Sequence, residues 1–107
     1  MWILDSGASS HATNDFADLS DAHEFRQQIV TAGKWIVQVT HRGTVCLQLQ
    51  DKQVTLSNVL YSHDFTERII SVKQLTSKGC VATFNESSGT VHFRGESILI
   101  GKPWYGL

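Results

Sequence analysis

The side chains best suited to chemistry are concentrated in one run near the front of the chain, Trp2-Ile-Leu-Asp-Ser-Gly-Ala-Ser-Ser-His11. An apolar stretch, Trp2 to Leu4, leads straight into a single carboxylate, Asp5, followed by a hydroxyl, Ser6, then Gly7 and Ala8. A carboxylate at the end of an apolar strand can be turned into a cleft, where it can take or give a proton. Ser6 can both donate and accept a hydrogen bond. Gly7 permits a tight turn with close backbone approach, and Ala8 leaves room beside the carboxylate. Taken alone, Asp-Ser-Gly is more often a plain turn former, so the context has to decide between turn and site.

Two other chemistries are weaker. Ser9 or Ser10 beside His11 invites a nucleophile-base pair, but neighbours on an extended chain point apart and the second glycine of G-x-S-x-G is missing. Five histidines (His11, His23, His41, His63, His92) and two cysteines show no paired ligand spacing, so surface or turn histidines are expected and no metal or other cofactor is assigned. The tryptophans Trp2, Trp35 and Trp104 read as large apolar anchors for core or subunit packing.

The elements that must position this run follow from composition and pattern. With 107 residues, 41% hydrophobic and 18% charged, the chain is expected to form one domain with a core, and it is too short for a two-lobed enzyme. A net charge of −1 is unlike the basic excess of a nucleic-acid-binding protein, so no direct nucleic-acid partner is expected. Cys46 and Cys80 read as buried thiols of a reducing compartment. Apolar runs such as Ile98 to Ile100 fall far short of the roughly 20 residues of a membrane span, and no basic-then-apolar leader opens the chain, so a soluble, unsecreted protein is expected.

Short β-rich runs occupy Trp35 to Val39, Thr44 to Leu49, Val54 to Leu56 and Val59 to Tyr61, with Val45, Leu47 and Leu49 on one face at period two. Ala32-Gly33-Lys34, His41-Arg42-Gly43 and Gln50-Asp51-Lys52 separate them at hairpin length, which predicts an antiparallel meander. Ser71 to Gly79 predicts a helix of about two turns, with Ser71 as N-cap, Val72 and Leu75 on one face, Lys78 in the last turn and Gly79 as the left-handed stop. Strands are expected over Cys80 to Phe84, Thr90 to Phe93 and Ser97 to Ile100, with turns at Asn85 to Gly89 and Arg94-Gly95-Glu96. Asn14 to Phe25 reads equally as a short helix or an irregular loop. The sum is an all-β domain with one short helix.

In this setting the Asp-Ser-Gly-Ala run resembles the active-site motif of retropepsins, the aspartic proteases of retroviruses and LTR retrotransposons. Its extension through Ser9, Ser10, His11, Ala12 and Thr13 is similar to the Ty1/copia branch. Ile69 to Phe84 resembles the hydrophobic loop, short helix and strand that brace the active-site turn; Ile29 to Val37 resembles the flap hairpin. Arg42 to Val45 and Leu56 to Tyr61 match strands downstream of it. The resemblance spans residues 2 to 100 and implies a retropepsin-like half-barrel with one short helix, covering residues 1–107 as a single protease domain and active as a homodimer.

The class hydrolyses peptides with two carboxylates that share one proton, the aspartic proteases being a standard example of such a pair. One motif carboxylate per chain implies that two copies of Asp5 meet on a two-fold axis; Asp15, Asp18, Asp21, Asp51 and Asp64 lack the strand-Asp-Ser-Gly setting. The resemblance further implies that Ser6 hydrogen-bonds across the axis and that Gly7 and Ala8 complete the turn. Thr31, Ala32 and Gly33 would form the flap tip with Trp35 near the peptide, and Ile69, Ile70 and Ser71 would sit behind the site. The implied substrate is an extended segment of the element's own Gag-Pol polyprotein, cut within cytoplasmic virus-like particles, with no membrane partner and a rate optimum below neutrality.

This chain also departs from the retroviral pattern. Ser71 stands where retroviral enzymes have glycine, a replacement common in copia-like sequences. The flap carries one glycine, and Ser9 replaces an aspartate that helps hold the substrate backbone. Met1 to Leu4 precede Asp5 here, where retroviral enzymes have a longer leading segment that supplies an interface strand; an excised fragment is one expectation, in which case dimerisation would rest on other segments. The alternative is a catalytically weak or inactive, domesticated module that keeps the fold for peptide binding or assembly.

Overall fold

Alternation of apolar and polar side chains builds the longest strand, in which Val37, Val39 and Val45 are buried while Gln38, Cys46 and Gln48 face solvent. The computed structural model describes residues 2–31, 33–49, 52–84, 89–93, 96–101 and 103–104. In chain order the strands are β1 (Trp2–Asp5), β2 (Ala12–Thr13), β3 (Ser20–Val30), β4 (Ile36–Leu49), β5 (Lys52–Tyr61) and β6 (Arg68–Ser71). The helix α1 (Val72–Ser77) follows, then β7 (Val81–Phe84), β8 (Gly89–Phe93), β9 (Glu96–Gly101) and β10 (Pro103–Trp104). The domain is all-β with one short α-helix, as its pattern predicts.

Among the described residues the strands form two sheets. The larger runs β10-β1-β6-β2-β5-β4-β3 and the smaller β7-β8-β9. β1 lies parallel to β6, with Asp5 opposite Ser71, and parallel to β10, with Asp5 opposite Trp104. The strand that carries Asp5 is therefore an inner strand of the sheet, held on both sides by the chain's own backbone. Leu4, Ile70, Val45, Leu56 and Val59 form the core together with Val72 and Leu75 of α1 and Val91 of the smaller sheet. Leu4 and Ile70, each 1% exposed, anchor the β1–β6 pair immediately before Asp5 and Ser71.

Three expectations need correction. The His41-Arg42-Gly43 break is no turn: β4 runs through it, pairing His41 with Tyr61, Arg42 with Leu60 and Gly43 with Val59. Both neighbouring strands bulge at this level. Two residues, Asp21 and Ala22, oppose the one residue Gly43 on the β3 side, and Ser57 and Asn58 oppose Thr44 on the β5 side. Asp21 (φ 52°) and Asn58 (φ 56°) take the left-handed conformation that these bulges need and that Asp and Asn tolerate. A Cβ on Gly43 would lie 2.9 Å from the Ser20 carbonyl oxygen, so glycine here answers close strand approach and not a chain reversal.

The stretch 14–25, which sequence reading divides between helix and loop, is instead a one-turn 3-10 element at Phe16–Asp18 followed by the start of β3. Cys46 is exposed and Cys80 half-buried, against the expected burial of both. The turn predicted at Asn85 to Gly89 falls mostly outside the described residues, with Gly89 already in β8; Arg94 and Gly95 lie outside them as well, and Glu96 begins β9.

Candidate active site

Asp5 ends β1 as a buried carboxylate, 5% exposed, and the backbone then turns sharply. The Gly7 N–H donates to Asp5 Oδ1 at 2.7 Å, a short bond that fixes the carboxyl group's orientation. Ser6 and Gly7 are exposed and Ala8 half-buried. Burial with access on one side comes from the cleft into which Asp5 opens, about 710 Å³ in volume.

The β3–β4 hairpin forms one wall of that cleft through Ile29, Val30, Thr31, Gly33, Trp35, Ile36 and Val37. Its tip is a closed loop: Thr31 N–H donates to the Trp35 carbonyl at 2.9 Å, Lys34 N–H to the Thr31 carbonyl at 2.8 Å, and Trp35 N–H to Thr31 Oγ1 at 3.2 Å. Lys34 adopts φ 63° to close the turn. Trp35 is 75% exposed, so it is no core anchor; its indole lies against Gly33, where a Cβ would approach Trp35 Cδ1 to 2.9 Å. Ala32 lies outside the described residues. By contrast Trp2 is partly buried against the core, and nothing is described of the Trp104 side chain.

The predicted Ile69-Ile70-Ser71 block divides by strand alternation. Ile70 points into the core, whereas Ile69 lines the cleft. Ser71 is fully buried and binds the Asp5 loop directly: its hydroxyl donates to the Ala8 carbonyl at 2.8 Å. The same hydroxyl accepts the Gln74 N–H at 3.2 Å as the N-cap of α1. Gln74 Nε2 adds a second tie, to the Ser9 carbonyl at 2.9 Å. Ser71 thus joins helix α1 to the turn that follows Asp5. Gly79, at φ 91°, ends that helix in the left-handed conformation.

Some lining residues carried no sequence signal. The segment Asp64, Phe65, Thr66 and Glu67, which joins β5 to β6, also borders the cleft. Asp64 and Glu67 make the cleft acidic together with Asp5, and among its described lining residues there is no Lys, Arg or His. His11 is the other surprise. Expected at a surface or turn, it is 2% exposed, and its Nδ1 accepts the Ser71 N–H at 2.9 Å. Burial, aided by the charge of Lys78, lowers its pKa from 6.5 to about 4, so the ring is neutral at physiological pH. Beside the site, Arg68 bridges Asp15 (2.9 Å) and Asp18 (2.8 Å), and Thr13 Oγ1 donates to Asp18 Oδ2 at 2.6 Å, tying β6 to the 3-10 turn.

These features define an all-β domain that presents one motif carboxylate at the base of a hairpin-covered cleft. The chain belongs to the Pol polyprotein β-barrel domain family, which it matches over residues 2–80, the stretch from β1 through α1. It is similar to two Arabidopsis thaliana proteins, the retrovirus-related Pol polyproteins from transposons RE1 (30% identical) and RE2 (31% identical), in each case over 83 residues. That similarity covers 76% of this chain and 6% of each relative, so the chain corresponds to a small part of a retrotransposon Pol polyprotein. No solved structure matches the chain.

Proposed function

We propose that this domain is the aspartic endopeptidase of a copia-like retrotransposon Pol polyprotein. The observation that carries the reading is Asp5: a buried carboxylate, oriented by the Gly7 N–H, at the base of a cleft walled by an exposed hairpin. Two copies of the chain pair on a two-fold axis, and their Asp5 carboxylates share one proton. The ionised carboxylate takes a proton from water, which attacks the scissile carbonyl carbon while the protonated partner donates to the carbonyl oxygen. Proton transfer to the departing amide nitrogen then releases the two peptides. Ser6, exposed beside Asp5, is the group for the hydrogen bond across the axis.

The peptide lies extended under the hairpin, paired with its backbone as an added strand. Ile29, Val37, Leu60 and Ile69 offer apolar surface to side chains flanking the cut bond, and Trp35 closes over the peptide and excludes water. The substrate is the domain's own polyprotein, processed in cytoplasmic particles. Peptidase assay on a polyprotein-junction peptide tests this, with Asp5→Asn as the control. Cleavage by the wild type and none by Asp5→Asn is expected. Cleavage that survives Asp5→Asn overturns the mechanism, whereas no cleavage by either form, from a chain that sediments as a stable monomer, replaces the enzyme with a peptide-binding or assembly module.

A further inference from the structure

We propose that His11 is a positioning residue for the Asp5 loop: its Nδ1 holds the Ser71 backbone, and Ser71 in turn holds the loop that carries Asp5. The kinetic part of this inference rests on the protease reading above; the structural part does not.

β2 pairs antiparallel with β6 at Ala12 opposite Ile69, a register that would set Ser10 opposite Ser71 if the ladder continued. It stops there, because residues 9–11 lie outside β2. The Ser71 N–H is thereby left at a fully buried residue, where an unmet donor is costly. His11 supplies the acceptor that the missing backbone carbonyl would have given, with Nδ1 at 2.9 Å from the Ser71 nitrogen. A ring that accepts at Nδ1 carries its proton on Nε2, the tautomer assigned by this hydrogen bond. The His11 carbonyl also accepts the Leu60 N–H at 3.0 Å, so the residue is anchored to β5 as it reaches β6.

From Ser71 the chain of contacts runs directly to the site. Its hydroxyl donates to the Ala8 carbonyl at 2.8 Å, three residues past Asp5, while its Cα is paired in register with Asp5 itself. A shift of Ser71 therefore moves the loop at both ends of the turn. His11 touches no reacting atom in this scheme. It explains why a histidine five residues beyond a chain reversal is buried without acting as base or ligand.

Three variants test the idea. His11→Asn keeps an acceptor oxygen near the place of Nδ1, His11→Leu fills the space without one, and Ser71→Ala removes the next link. Amide hydrogen exchange on the intact chain gives a readout independent of activity. Faster exchange at Ser71 and Gly7 in His11→Leu is expected, with Val39 and Val59 in the core unchanged and protection restored in His11→Asn. In the peptidase assay kcat should fall about tenfold or more in His11→Leu with KM little changed, and His11→Asn should recover most of it. Ser71→Ala should expose Gly7 to exchange in the same way; should His11→Leu fail to fold, His11→Gln, whose longer side chain misplaces the acceptor, takes its place, with faster exchange at Ser71 expected and wild-type protection there overturning the proposal. Unaltered Gly7 protection in both His11→Leu and Ser71→Ala overturns the proposal. A wild type that cleaves no peptide would refute the protease reading, while exchange would still decide the role of His11.

Discussion

At the scale of single residues, the buried histidine has a consequence for stability. The unfolded chain protonates His11 near pH 6.5, and the folded chain only near pH 4. Between these values the unfolded state binds more protons, so folding stability is full above about pH 6.5 and is lost progressively as the pH falls toward 4. At about 1.36 kcal/mol per pH unit the loss is on the order of 3 kcal/mol. Urea denaturation from pH 7 to pH 4 should show this fall, and His11→Asn should flatten it; an equal fall in both would assign the effect to other groups. Ser71→Ala removes a helix cap and the tie to Ala8 together, and should cost about 1–2 kcal/mol in the same titration.

At the level of elements, Gly43 sits where the longest strand faces bulges on both neighbours. Gly43→Val would drive side-chain carbon into the Ser20 carbonyl and the Ala22 Cα, both backbone and unable to swing aside. A loss of roughly 1–3 kcal/mol in thermal or urea unfolding is expected, and an unchanged midpoint would mean that β3 moves away freely. Trp35→Ala should behave in the opposite way. Its side chain is exposed, so stability should stay within about 0.5 kcal/mol, while KM for an extended peptide rises. Helix α1 was legible because its cap and stop are local, Ser71 and Gly79. β3 was not, since an edge strand exposed along almost its whole length has no alternating face to betray it. His-Arg-Gly reads as a turn until the strands on both sides are known. Asp5 stood out through its apolar approach and glycine turn, but the burial of His11 depends on a contact sixty residues away, which no local pattern encodes.

In the molecule as a whole, the proposed mechanism needs two Asp5 carboxylates in each working unit, and each chain brings one. The domain holds β1 between β6 and β10 of its own chain, so the motif strand is braced before any second copy arrives. Assembly then has to bring the exposed Ser6 and Gly7 turn and the exposed hairpin tip toward their counterparts. Mixing tests this most directly. Wild type and Asp5→Asn are combined at fixed total concentration, well above that at which activity saturates, and allowed to exchange subunits before peptide is added. If each active unit needs two intact Asp5 residues, activity follows the square of the wild-type fraction, and an equal mixture retains about a quarter of the wild-type rate. A rate that falls only in proportion to the wild-type fraction, leaving about half, would contradict the shared site.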